Sequence, residues 1–93
     1  MNMPKPLNLL ILEDNPTDAE LILIELRRAG YEPISRIVDN KKDFIAHLDP
    51  SLDIILSDYN LPQFTGLQAL ELRSESGLHI PFIIVSGEIG EEL

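Results

Sequence analysis

The chain has 93 residues, with 7 Lys and Arg against 16 Asp and Glu, a formal net charge of −9 and 44% hydrophobic residues. That composition supplies a modest core for one small domain and excludes an intrinsically disordered chain. The only basic clusters are the pairs Arg27-Arg28 and Lys41-Lys42, so direct contact with nucleic acid or an anionic membrane surface is disfavoured, and the absence of cysteine excludes a disulfide framework, a zinc ribbon and a thiol nucleophile.

The first apolar run, Leu7 to Leu12, is too short for a signal peptide or a membrane span and reads as a strand buried on both faces. Asn15-Pro16-Thr17-Asp18 opens a helix: Asn accepts from an orphan backbone N–H, Pro suits the first position, and Asp faces the positive end of the dipole. Ala19, Ile22, Leu23 and Leu26 share its inner face, and Gly30 stops it after Arg27 and Arg28. Ile34 to Val38, more polar and preceded by Pro33, reads as an edge strand. A second helix runs from an Asn40 cap to about Leu48 with Phe44, Ile45 and Leu48 inward, and a third strand spans Leu52 to Leu56. The third helix spans about Leu67 to Ser74, with Leu67, Leu70 and Leu72 apolar, and closes at Gly77; Pro81 to Val85 is the fourth strand. Residues 87–93 look like the opening of a fourth helix. This strict β-α alternation calls for parallel strands joined by right-handed crossovers, hence a doubly wound α/β sheet.

Ligands of such sheets bind beyond the carboxyl ends of the strands. Glu13-Asp14 ends the first strand, Asp58 follows the third and Ser86-Gly87 follows the fourth. Each of these alone is ordinary turn or cap chemistry; together, at three strand ends, they suggest a pocket. With the first and third strands adjacent, three carboxylates converge, and at ~5 Å with an effective dielectric of ~20 each like-charged pair costs roughly 3 kcal/mol. Mg²⁺ offsets that best and makes a carboxylate a usable phosphoryl acceptor, while Ser86 and backbone N–H groups near Gly87 are placed to hold a phosphoryl oxygen.

Leu9 to Asn15, Asp53 to Pro62, Gly66 eight residues after Asp58, and Pro81 to Gly87 together resemble the receiver domain of two-component response regulators. The most specific part is the run Asp58-x-x-x-Pro62-x-x-x-Gly66. The resemblance implies the flavodoxin-like strand order 2-1-3-4-5, Asp58 as the phosphorylated aspartate, Glu13 and Asp14 as the acidic pair for Mg²⁺, Asn60 as a backbone carbonyl ligand, and Ser86 as the hydroxyl that contacts the phosphoryl group. It also implies a histidine kinase or histidine phosphotransfer protein as donor, a cytoplasmic location, and a phosphoacceptor domain that assists its own phosphorylation without being an enzyme in the usual sense.

A complete receiver continues through a fourth helix, a fifth strand ending in a lysine, and a fifth helix. Residues 1–93 are therefore expected to be an incomplete receiver domain, truncated after the fourth strand. Lys5, Lys41 and Lys42 lie on the wrong elements to replace that lysine. The fourth strand then forms an apolar edge, from which a homodimer or higher oligomer is expected. Two other functions compete: a non-phosphorylated pseudo-receiver acting in assembly, and a Mg²⁺-dependent phosphohydrolase with an aspartyl nucleophile. The second is disfavoured because Asp58 is followed two residues later by Asn60 and follows the third strand, not the first. His47 reads as solvated or packed, His79 as a loop residue, and Tyr59 and Phe64 as loop aromatics flanking the site.

Overall fold

The computed structural model describes residues 3–58, 61 and 63–85. The elements are β1 (Lys5–Leu12), α1 (Pro16–Arg28), β2 (Tyr31–Val38), α2 (Lys41–Ala46), β3 (Ile54–Asp58), α3 (Gly66–Glu75) and β4 (Phe82–Val85). The expected start of a fourth helix at residues 87–93 lies outside the described residues.

The helix ends follow their local chemistry. Asn15 Oδ1 accepts from the Thr17 and Asp18 amides at 2.9 and 3.4 Å, with Pro16 at the first helical position. Asn40 Oδ1 accepts from the Asp43 amide at 2.8 Å. Gly30 and Gly77, after α1 and α3, have φ of 97° and 76°, a left-handed conformation that side chains with a Cβ rarely adopt. The strands β1 and β2 begin earlier than expected, at Lys5 and Tyr31, and β3 runs Ile54–Asp58 in place of Leu52 to Leu56; two helix boundaries also differ. The α2 helix ends at Ala46, and the Asp49 side chain then accepts from the Ser51 amide at 2.8 Å, a bond that favours a turn and holds the Asp49 carboxyl below its usual range. The α3 helix starts at Gly66, because Thr65 and Gln68 form a capping box: the Gln68 amide donates to Thr65 Oγ1 at 3.2 Å and the Thr65 amide to Gln68 Oε1 at 3.0 Å.

All strand pairs are parallel, in the order β2-β1-β3-β4. Leu9, Leu10, Ile11 and Leu12 are each 0% exposed, because β1 is central and covered on both faces. Leu9, Ile11 and Leu56 pack with Leu23, Ile22 and Leu26 of α1 on one face. On the other, Leu10, Leu12 and Ile55 join Phe44 of α2 and Ala69 of α3. The β2 edge is polar and largely exposed, as its sequence indicates.

Two apolar assignments need correction. Ile45 is 47% exposed, not inward. Phe64 is buried at 3% exposure and packs on Phe44 with ring centroids 5.5 Å apart, so it belongs to the core and not to a partner surface.

Candidate metal and phosphoacceptor site

Parallel pairing sets Leu12 of β1 opposite Ser57 of β3, so the residues that leave these strands emerge side by side. Glu13, Asp14 and Asp58 each offer one carboxylate oxygen, and these three oxygens lie within 4.8 Å of one another. Glu13 is buried, Asp58 half-buried and Asp14 exposed, which makes a site with a closed floor and an open mouth. The three acidic residues expected to meet therefore do meet.

Glu13 is held in place by its own loop. Its Oε2 accepts from the Asp14 and Asn15 amides at 3.0 and 3.2 Å, while its own N–H donates to the Val38 carbonyl at 2.9 Å. Burial pushes the Glu13 carboxyl up to about 7; the Asn15 amide pulls it down, and the neighbouring Asp58 and Asp14 carboxyls push it further up. A buried acid with a raised pKa beside two other carboxyls is a site whose ionised form a bound cation would stabilise. Three hard oxygen donors at this spacing, one of them exposed, fit Mg²⁺ with room for water or phosphate oxygens. Asn60 and Ser86 lie outside the described residues.

Beside the cluster, toward the β2 edge, a groove of about 440 Å³ is lined by Glu13, Asp14, Glu20, Ile37, Asp39 and Asp43. The sequence assigns no role to Glu20, Asp39 or Asp43, because they lie on three separate elements and only the crossover geometry gathers them. Ser57 went unnoticed for a different reason. A serine inside an apolar strand carries no motif, and only its burial and its bond to the Asp58 carbonyl, at 3.0 Å, single it out.

A parallel α/β sheet whose first and third strands deliver an acidic trio to one end defines a receiver module. The chain belongs to the response regulator receiver domain family, whose model matches residues 9–93. Among curated proteins it is 31% identical over 97 residues to a protein-glutamate methylesterase/protein-glutamine glutaminase of Gluconobacter oxydans (strain 621H), covering 96% of this chain and 25% of that protein. It is 31% identical to a two-component response regulator of Oryza sativa subsp. japonica, covering 85% of this chain and 39% of that protein. It is also 27% identical to the sensor histidine kinase RcsC of Escherichia coli, covering 90% of this chain and 9% of the kinase. The chain thus spans well under half the length of each of these relatives. Among solved structures, response regulator StyR superposes with a TM-score of 0.70 at 23% identity, over 88% of this chain and 40% of that one, which shows the shared fold. Among the described residues, no helix is long and apolar enough to cross a membrane.

Proposed function

We propose that this receiver domain accepts a phosphoryl group on Asp58 from a phosphohistidine of a histidine kinase or histidine phosphotransfer protein, with Mg²⁺ held by Glu13, Asp14 and Asp58. The observation that supports this most directly is the convergence of three carboxylate oxygens within 4.8 Å at the carboxyl ends of adjacent strands.

In the transfer, an Asp58 carboxylate oxygen attacks phosphorus in line with the leaving imidazole nitrogen. The P–N bond breaks, a P–O bond forms to give an acyl phosphate, and the imidazole takes a proton from solvent. Bound Mg²⁺ supplies charge neutralisation for the phosphoryl oxygens. The protein holds Asp58 at the end of a fully paired strand, so its approach is set before the donor arrives. Asp14, exposed at the mouth, would hold the metal from the solvent side, and the buried Glu13 would hold it from the floor. Ser86 and the Asn60 carbonyl complete the proposed site. The same reading makes the chain a signalling module of the cytoplasm and not an enzyme acting on a separate substrate.

Incubation with Mg²⁺ and acetyl phosphate or beryllofluoride, read by intact mass and Mg²⁺ titration, tests the assignment. One adduct is expected on the wild type and none on Asp58→Asn. An unmodified wild-type protein of natural length would leave the pseudo-receiver as the better description. Release of inorganic phosphate from many donor molecules per chain, without a stable adduct, would favour the phosphohydrolase. Self-association is proposed separately from Ile83 of β4, which is 49% exposed; a monomer in sedimentation at micromolar concentration overturns it.

A further inference from the structure

The β3 strand is apolar from Ile54 to Leu56 and then carries a serine that is 1% exposed. Ser57 shares the sheet face of Ile55, beneath the first turn of α3. A buried hydroxyl costs free energy unless it is hydrogen-bonded, and a leucine or valine there would add apolar burial. Ser57 Oγ donates to the carbonyl oxygen of Asp58 at 3.0 Å. That carbonyl belongs to the peptide that leads out of the strand, so the bond fixes the direction in which the chain leaves Asp58.

The space above is closed by α3. A Cβ on Gly66 would lie 3.1 Å from Ser57 Oγ, 3.2 Å from the Asp58 carbonyl oxygen and 3.7 Å from Ile84 Cγ1. The start of α3 is itself fixed by the Thr65–Gln68 capping box. The slot is therefore tight for any Cβ at position 66 and favours a small side chain at position 57, and both contacts fall on the same carbonyl.

We propose that Ser57 is a positioning residue for Asp58: its buried hydroxyl, held under the glycine that opens α3, fixes the Asp58 carbonyl and with it the pose of the carboxylate toward Glu13 and Asp14. The chemical consequence rests on Asp58 being the phosphoacceptor; the backbone lock itself does not. Gly66 assists by letting the helix close on the hydroxyl. Nothing in Ser57 touches the phosphoryl donor, so its effect must appear in how fast a correctly assembled site reacts.

The discriminating pair is Ser57→Thr and Ser57→Val in the full chain. The two side chains have nearly the same shape, and only threonine keeps the donor. With acetyl phosphate and saturating Mg²⁺, S57V should phosphorylate Asp58 about fivefold more slowly than S57T, the loss expected for one hydrogen bond. The Mg²⁺ dissociation constants of the two should agree within about twofold, because all three carboxylates remain. A purely structural role would lower the melting temperature without separating the rate from the metal affinity. Equal rates in S57V and S57T, with Asp58 still modified, overturn the inference. If the wild type takes no phosphoryl group, the phosphoacceptor reading fails and amide exchange decides the lock. Faster exchange at Leu61 and Gly66 in S57V than in S57T supports it, and equal exchange refutes it.

Discussion

An aspartate stands at each end of β3, and the two do different work. Asp53, just before the strand, is paired with β1: its Oδ2 accepts from the Asn8 amide and its own N–H donates to the Asn8 carbonyl, both at 2.8 Å. Asp58, at the other end, faces two further carboxyls within 4.8 Å. The neighbours differ: Asp53 meets the Asn8 backbone on the adjacent strand, whereas Asp58 meets the two carboxyls that follow β1. Those neighbours, and not residue type, separate an acid that fastens the sheet from one crowded by other acids.

Breaking the chemical end should have the largest effect. Asp58→Asn removes the proposed nucleophile, and the acetyl phosphate adduct should vanish from the intact-mass spectrum while the circular dichroism spectrum stays native. Asp14→Asn removes one proposed anionic ligand, and Mg²⁺ affinity measured by calorimetry should fall about tenfold or more.

The pH response sharpens the contrast further. Glu13 is pushed up to about 7 in the folded chain from an ordinary value near 4.5. Between those values the folded state holds a proton that the unfolded state has released, so metal-free stability should decline as pH rises from about 4.5 to about 7 and level off above. Mg²⁺ competes with that proton, so its apparent affinity should instead rise across the same range. The metal-free melting temperature should drop by about 10 °C between pH 5 and pH 7.5. Glu13→Gln should abolish most of that drop; an identical slope in this variant would assign it to other groups.

At the fastening end, Asp53→Ala should leave the adduct intact and lower unfolding stability by about 1–2 kcal/mol in urea titration, because the Asn8 amide loses a charged acceptor. The smallest change expected is in Asn15→Ala, about 1 kcal/mol from the α1 cap, with Mg²⁺ affinity altered only through the neighbouring Glu13 loop.

Much of this organisation is legible in the residues. Continuous apolar runs marked buried parallel strands, Asn-Pro and Gly marked the limits of α1, and the acidic residues after the first and third strands pointed to one pocket. The less legible parts share a physical cause. Ile45 looks like a core residue because helical spacing records only which residues share a face, not how far a neighbouring element reaches to cover it. Phe64 looks like a surface aromatic because nothing local announces that the chain folds it onto Phe44 of α2. The Thr65–Gln68 box was readable as a capping signature, yet the apolar pattern drew the helix start to Leu67.

By itself, then, the sequence determined the alternation of elements, their parallel sense and the acids that end the strands, because these follow from local propensity and from the short connections between elements. Only the tertiary structure decided what those acids experience. The burial and raised pKa of Glu13, the meeting of its oxygen with those of Asp14 and Asp58, and the slot that pins Ser57 beneath Gly66 all depend on distances between segments that lie more than forty residues apart or on the close approach of a helix to a strand. Long-range packing sets those distances, and no local pattern encodes them.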